Sequence, residues 1–124
     1  MKDGNRAPED LSGRTKRFAL RIVRLYASLP KKTEAQVIGK QVLRSGTSVG
    51  AHYREATRAR SNAEFISKIE GGLQELEETA YWLELLGETS IVRSGRLSNL
   101  IKEVNELTAI FVTCVKKAKA VKAK

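Results

Sequence analysis

Residues 61–87, SNAEFISKIEGGLQELEETAYWLELLG, decide the fold class because their apolar side chains recur with the period of an α-helix. The apolar positions lie three or four residues apart, at Phe65, Ile69, Leu73, Leu76, Ala80 and Leu83. Ser61 followed by Glu64 has the spacing of a capping box, which marks the amino terminus of a helix. The stretch therefore predicts a long amphipathic helix that starts after Ser61 and ends near Gly87.

Three further segments show the same helical period. The first, residues 14–29, is ended by Pro30, and the second opens at Thr33, a favourable helix cap. The last starts near Ser94, and its apolar line is Leu97, Leu100, Ile101, Val104, Leu107, Phe111 and either Cys114 or Val115. The second segment is rich in small residues between 45 and 51, which predicts close packing against a neighbouring helix.

Four amphipathic helices joined by short turns, with no strand pattern, predict an all-α fold: an antiparallel up-down-up-down four-helix bundle. The chain of 124 residues is long enough to bury one core. We expect a flexible N-terminal arm at residues 1–13, the bundle at 14–115 and a basic C-terminal tail at 116–124.

The composition favours a cytoplasmic protein without a membrane span. No apolar run approaches the roughly 20 residues that a transmembrane helix needs, and the N-terminus lacks the apolar core of a signal peptide. One cysteine permits no intramolecular disulfide. The net charge of +9 suggests a polyanionic partner such as RNA or DNA, although many soluble proteins are basic without one.

The charge is unevenly distributed along the chain. Residues 14–32 hold seven basic and no acidic side chains, whereas residues 61–88 hold seven glutamates and one lysine. Arg14, Arg17, Arg21 and Arg24 lie on one edge of the first helix. These arginines either contact phosphates or pair with glutamates of the third helix, within a subunit or across an interface.

The candidate nucleic-acid-binding residues are the arginine stripe, two arginines after the second helix, and the lysines of the tail. They are Arg14, Arg17, Arg21, Arg24, Arg58, Arg60, Lys116, Lys117, Lys119, Lys122 and Lys124. No aromatic stacking set or base-reading motif accompanies them. The pattern therefore predicts phosphate contacts with little sequence specificity.

The third helix carries more apolar surface than one core needs. In the segment AYWLELLG, Ala80 and Leu83 are assigned to the core, while Trp82, Leu85 and Leu86 project on other sides. Burial of that surface by another subunit is one explanation, and cover by a loop or the N-terminal arm is the other. The predicted oligomer interface consists of Tyr81, Trp82, Leu85, Leu86, Arg54 and Glu55.

The residue types needed for catalysis or for a metal centre are missing. His52 is the one histidine, so neither a di-iron bundle site nor a zinc site can be assembled. Cys114 lies on an apolar helix face, where a small core residue is the ordinary interpretation. No Walker loop occurs. We predict a non-enzymatic protein with no catalytic residues, no metal and no cofactor.

Residues 42–88 resemble the four helix bundle protein family, which is associated with intervening sequences of bacterial 23S rRNA genes. The most specific part is RSGTSVGAHYREA, residues 44–56, and RARSNAEFISK and ETAYWLELL resemble family segments at matching spacing. The resemblance implies a left-handed up-down-up-down bundle that assembles as a homopentamer. It supplies no catalytic residues. Arg44, Ser48, Gly50, Arg54 and Glu55 match its motif.

A more distant similarity, in fold, size and charge, is to the accessory variability protein of diversity-generating retroelements. That protein is a basic pentamer which binds nucleic acid and a reverse transcriptase. Two functions follow as expectations for this chain. The first is a homo-oligomer that binds RNA or DNA through basic surfaces. The alternative is a protein-interaction scaffold or accessory subunit that recruits an enzyme such as a reverse transcriptase.

Overall fold

The computed structural model describes residues 10–122, with only the backbone given at Lys122, and these residues form four α-helices. The helices are α1 (Leu11–Ala27), α2 (Thr33–Thr57), α3 (Asn62–Glu88) and α4 (Ser94–Lys122). No strand occurs within this part of the chain. The predicted all-α four-helix class is confirmed.

Side-chain caps mark the starts of α1 and α3, whereas α2 begins at Thr33 after Lys32, which makes no side-chain cap hydrogen bond. Thr33 is therefore the first residue of the helix and not its cap. Asp10 accepts a hydrogen bond from the backbone N–H of Ser12 at 3.1 Å, so α1 begins at Leu11 rather than at residue 14. Residues 11–13 are therefore helical and do not belong to the predicted arm, of which residues 1–9 lie outside the described chain.

The predicted capping box at the start of α3 is present in a modified form. The Ser61 hydroxyl accepts from the backbone N–H of Glu64 at 3.0 Å. The Glu64 carboxylate accepts from the N–H of Arg60 at 2.9 Å, one residue before the usual partner. Two backbone donors at the turn are thereby satisfied, which fixes where the chain enters α3.

Consecutive helices pack side by side, and α4 returns to contact α1. Helices α2 and α3 run antiparallel, because Ser45 of α2 lies beside Thr79 of α3 while Glu55 of α2 lies beside Lys68 of α3. Among the described helices, α1 and α3 are not neighbours and lie diagonally across the bundle. This arrangement limits which charged residues of one chain can meet.

The core contains Phe18, Ile22, Val49, Leu76 and Phe111, each at most 1% exposed. On α3 the buried line is rotated from the predicted one: it is Ile66, Ile69, Gly72, Leu76, Thr79, Leu83 and Leu86. Phe65, Leu73 and Ala80 are half-buried instead. The rotation arises because α3 packs against both α2 and α4, and small or polar residues such as Gly72 and Thr79 occupy its closest approaches.

The small residues of α2 do allow close helix packing, as predicted. A Cβ atom on Gly46 would lie 2.8 Å from Cγ1 of Ile22 on α1. On its other side, α2 meets α3 through a buried hydrogen bond of 2.8 Å from the Thr79 hydroxyl to the Ser45 hydroxyl. Each neighbour thus approaches α2 where the chain provides little side-chain volume.

The predicted C-terminal tail is part of α4 in the structure. The helix continues to Lys122, and Ala118 is only 6% exposed. The Ala118 carbonyl accepts a hydrogen bond from Nδ2 of Asn62 at 2.7 Å. The bundle therefore extends past residue 115, and residues 123–124 of the predicted tail lie outside the described chain.

Candidate nucleic-acid interface

Arg14, the first residue of the predicted arginine stripe, is held by α4. Its Nε lies 2.7 Å from Oε2 of Glu103, and its Nη2 lies 2.7 Å from Oε1 of Glu106. The guanidinium also donates from Nη2 to Oε1 of Glu103 at 2.8 Å, which makes the contact bidentate. Arg14 consequently joins α1 to α4 and is half-buried in that role.

The hypothesis that this stripe pairs with α3 within one subunit is wrong, because α1 and α3 are diagonal. Arg17 and Arg24 are exposed, and Arg21 is half-buried. Within residues 10–122, neither Arg21 nor Arg24 forms an ion pair. Arg21 and Arg24 can therefore pair with carboxylates of another subunit or with phosphates.

A second group of predicted residues comes together at one end of the bundle. The Asn62–Ala118 hydrogen bond joins the turn between α2 and α3 to the last turns of α4. This contact places two arginines and three lysines, all exposed, at the same end. We call this surface the basic end, and it consists of Arg58, Arg60, Lys116, Lys117 and Lys119.

Several carboxylates near the basic end are already engaged. Glu64 caps α3, and Glu55 lies 3.2 Å from Nζ of Lys68. Glu70 lies 3.6 Å from Nζ of Lys119, but both side chains are more than half exposed, so this pair is weak. The surface thus retains a net positive charge. Lys122 extends α4 at this end, and Lys124 lies beyond the described residues.

The motif carried by residues 44–56 builds a charged contact between α2 and α3. The Arg44 guanidinium donates to Glu78 and, at 3.3 Å, to Glu75. The hydrogen bond to Glu78 is the main cause that raises the pKa of Arg44. Nε2 of His52 lies 3.7 Å from Oε2 of Glu75, and its Nδ1 is buried without a hydrogen-bond partner in the described chain.

The predicted oligomer-interface residues do not share one environment. Tyr81 is 53% exposed and packs edge-on against half-buried Trp82, with ring centroids 5.0 Å apart. Leu85 is half-buried. Leu86 is 0% exposed and belongs to the core of the single chain, contrary to its predicted place at the interface. The rotation of α3 explains this correction, since it turns Leu86 inward.

The two α2 residues predicted at the interface also differ. Arg54 is exposed and borders a groove of about 360 Å³ between α1 and α2, whose other lining residues include Lys16 and Gly50. Glu55 is exposed but pairs with Lys68 of its own chain. Glu55 therefore has a partner without a second subunit, whereas Arg54 forms no ion pair with residues 10–122.

Cys114 of α4 and Tyr53 of α2 are both half-buried, and the Tyr53 ring lies 6.0 Å from that of Phe111, three residues before Cys114. Burial raises the pKa of the Cys114 thiol above its ordinary 9.0, opposed in part by the Lys117 ammonium. Burial likewise raises the pKa of Tyr53. Both shifts favour the neutral side chains, as expected for packing residues. In the described part of the chain, no three His, Cys, Asp or Glu residues are grouped to hold a metal.

Sequence reasoning missed the α4 carboxylates that hold Arg14. Glu103 and Glu106 are three residues apart on one face of α4, a spacing that the sequence displays. This spacing could have identified the partners of Arg14, because the last helix of a closed four-helix bundle is a neighbour of the first.

Within residues 10–122, no helix has a stretch apolar and long enough to cross a membrane.

Comparison with known proteins identifies relatives of this fold. Residues 10–113 match the family model described as 23S rRNA-intervening sequence protein. A crystal structure from Bacteroides thetaiotaomicron, of a protein with unknown function from the S23 ribosomal protein family, is similar over 85% of this chain and 97% of that one. The two share 39% sequence identity with a TM-score of 0.80. No curated protein matches this chain significantly.

Proposed function

Since this chain belongs to the 23S rRNA-intervening sequence protein family, we propose that it is a non-enzymatic protein that binds RNA or DNA through the phosphate backbone. The observation that supports this proposal is the basic end. Two segments some 60 residues apart in sequence bring five exposed cations to one end of the bundle. Of the nearby acids, Glu55 pairs with Lys68, Glu64 caps α3, and Glu70 forms only an exposed, weak pair with Lys119 of the basic end.

The chemistry of the basic end suits phosphates better than bases. Its cations are arginines and lysines on helix ends and a turn, and the exposed side chains there include no aromatic ring for stacking. Contacts of this kind give affinity that falls with salt and varies little with sequence. The family description refers to an intervening sequence of 23S rRNA, so structured RNA is the first ligand to test.

The test compares two variants with the same change in charge. Arg58→Ala/Arg60→Ala/Lys117→Ala removes three cations from the basic end. The control, Lys31→Ala/Lys32→Ala/Arg93→Ala, removes three exposed cations from turns at the opposite end. Fluorescence anisotropy with a structured RNA and with duplex DNA gives the dissociation constant over a salt series.

We expect the wild type to bind with a steep salt dependence and the basic-end variant to bind more weakly. Its slope of log affinity against log salt should be smaller by up to about 0.9 per lost phosphate contact on duplex DNA. The control should keep the wild-type slope. Equal losses in both variants, or wild-type binding that does not respond to salt, would contradict the proposal.

A protein-interaction scaffold is the second candidate, and the exposed apolar side chains of α2 and α3 favour it. Val37 is 58% exposed and Tyr81 53%. The antiparallel register that places Ser45 beside Thr79 also brings Val37 opposite the turn of α3 that holds Leu85. A scaffold of this kind would keep its protein partner in the basic-end variant and lose it in Val37→Ser/Tyr81→Ser.

A further inference from the structure

The turn between α2 and α3 forms an open hollow within the basic end. Its volume is about 430 Å³, within the range of roughly 300–1,000 Å³ that small-molecule sites occupy. Its lining runs from Ala56 in the last turns of α2 to Phe65 in the first turn of α3. Arg60 belongs both to this lining and to the basic end, so a nucleic acid bound at the basic end passes the hollow.

Phe65 supplies an aromatic surface in the hollow. The hydrophobic period of α3 assigns this residue to the core, but the rotation of the helix gives that place to Ile66 and Ile69. Phe65 is left half-buried, where it packs against core residues and also lines the hollow. The ring is therefore held in place and still accessible, as a platform for base stacking must be.

The turn that shapes the hollow is held by its own hydrogen bonds. The N–H of Phe65 donates to the Ser61 carbonyl at 3.0 Å. The N–H of Arg60 donates to the Glu64 carboxylate at 2.9 Å, which also engages the acid closest in sequence to the lining. These bonds fix the shape of the hollow before a ligand arrives, so little ordering is needed on binding.

Two polar side chains of the lining have hydrogen-bonding capacity left. The Ser61 hydroxyl accepts from the N–H of Glu64, and its own proton has no acceptor among the described residues. Nδ2 of Asn62 donates to the Ala118 carbonyl, which fixes the amide and leaves Oδ1 without a partner in residues 10–122. A donor and an acceptor thus lie in the same hollow as the aromatic ring, and the edge of a base offers partners for both.

The charge of the hollow suits a phosphate at its rim. Arg58 and Arg60 are exposed, and neither forms an ion pair with the described residues. Of the described residues that line the hollow, none is acidic. A nucleotide whose phosphate is bound by one of these arginines can therefore direct its base into the hollow without electrostatic repulsion.

We propose that the hollow binds one unpaired base of the nucleic acid, which stacks on Phe65 while Arg60 holds the adjoining phosphate. The site rests on the proposed function, since phosphate contacts at the basic end bring the strand to the hollow. A base within a continuous duplex is already stacked on both sides and cannot enter. The preferred ligand is therefore RNA with a bulge or loop, read by stacking, which every base permits.

An abasic nucleotide tests the proposal, because it lacks a base and keeps its phosphate. Fluorescence anisotropy compares three RNA duplexes: one continuous, one with a single bulged nucleotide, and one whose bulged nucleotide is abasic. We expect the wild type to bind the bulged duplex at least about fivefold more tightly than the abasic one, the lower end of what one base–aromatic stack contributes. The abasic and continuous duplexes should bind with similar affinity, since both offer phosphates alone.

Three variants locate the effect at Phe65. Phe65→Leu removes the ring but keeps an apolar side chain on the core, so it should bind the bulged duplex no more tightly than the abasic one. Phe65→Tyr keeps a ring and should retain the wild-type preference. Tyr81→Leu, the matched control, removes an exposed ring 16 residues further along α3, about 24 Å away, and should also retain it. Circular dichroism verifies that each variant folds.

The outcomes separate this site from the proposed function. Equal affinity of the wild type for the bulged and abasic duplexes would overturn the site, and that comparison depends on no variant. An unchanged preference in Phe65→Leu would overturn it as well. In either case, salt-dependent binding that is weakened in the basic-end variant would leave phosphate binding at the basic end intact. Failure of the wild type to bind any of the duplexes at low salt would overturn both.

Discussion

Arg14 shows how an individual residue acquires its role from its surroundings. The sequence shows its charge and its place on the first helix. It does not distinguish between a phosphate and a carboxylate as the partner of Arg14. The structure places Glu103 and Glu106 within 2.8 Å of its guanidinium. A half-buried bidentate pair holds the side chain in place, so Arg14 serves the bundle.

Gly46 gives a prediction at the same scale. Gly46→Ala adds a methyl group that would lie 2.8 Å from Cγ1 and 3.0 Å from Cγ2 of Ile22 in the core. We expect a loss of about 1–3 kcal/mol in the free energy of unfolding, because α1 and α2 must separate or Ile22 must adopt a strained rotamer. Urea denaturation followed by circular dichroism measures the loss.

Gly95 supplies the matched control, since a Cβ there would meet nothing within 4 Å. Gly95→Ala lies in the first turn of α4 and should stabilise the protein by up to about 1 kcal/mol through helix propensity. If Gly46→Ala were as stable as Gly95→Ala, the close approach of α1 and α2 would be refuted.

At the scale of the element, the ends of α3 were predictable from sequence but its rotation was not. Ser61 and Glu64 mark its start through local hydrogen bonds, which the sequence displays directly. The buried face depends on two neighbours, α2 and α4, which compete for opposite sides of the helix. Hydrophobic periodicity locates an apolar stripe but gives no weight to buried residues such as Gly72 and Thr79.

Leu86 and Leu85 test the rotation of α3. Leu86→Ala should lower the free energy of unfolding by about 2–5 kcal/mol, because Leu86 is 0% exposed in the core. Leu85→Ala, at a half-buried position one residue earlier, should cost less than half as much. Thermal and urea denaturation of both variants measure the difference. Equal costs, or a greater cost at Leu85, would contradict the rotation of α3 that buries Leu86 in the core.

At the scale of the whole molecule, packing at one end of the bundle determines whether the lysines after residue 115 form a flexible tail or part of an ordered surface. Val115 and Ala118 are buried on α4, and Ala118 is bound to Asn62 of α3. The lysines between and after them are therefore presented on an ordered helix beside Arg58 and Arg60. The Asn62–Ala118 contact thus combines the two arginines of the α2–α3 turn and the lysines of α4 into one basic surface.

Truncation tests that arrangement. Removal of residues 116–124 should lower the melting temperature by several degrees, because it exposes the apolar surface that Ala118 covers and leaves Asn62 without its acceptor. Removal of residues 123–124 alone should leave the melting temperature unchanged. Differential scanning fluorimetry compares the two. An unchanged melting temperature in the longer truncation would show that these residues are a free tail.

The sequence by itself determined the fold class, the four helices and most of their ends, because helical periodicity and capping depend on residues close together in the chain. It also determined that charge is segregated between α1 and α3. Only the tertiary structure decided which charges meet. The diagonal placement of α1 and α3 rules out their pairing in one chain, and the Asn62–Ala118 contact assembles the basic end. Both depend on packing between distant segments, which local patterns do not encode.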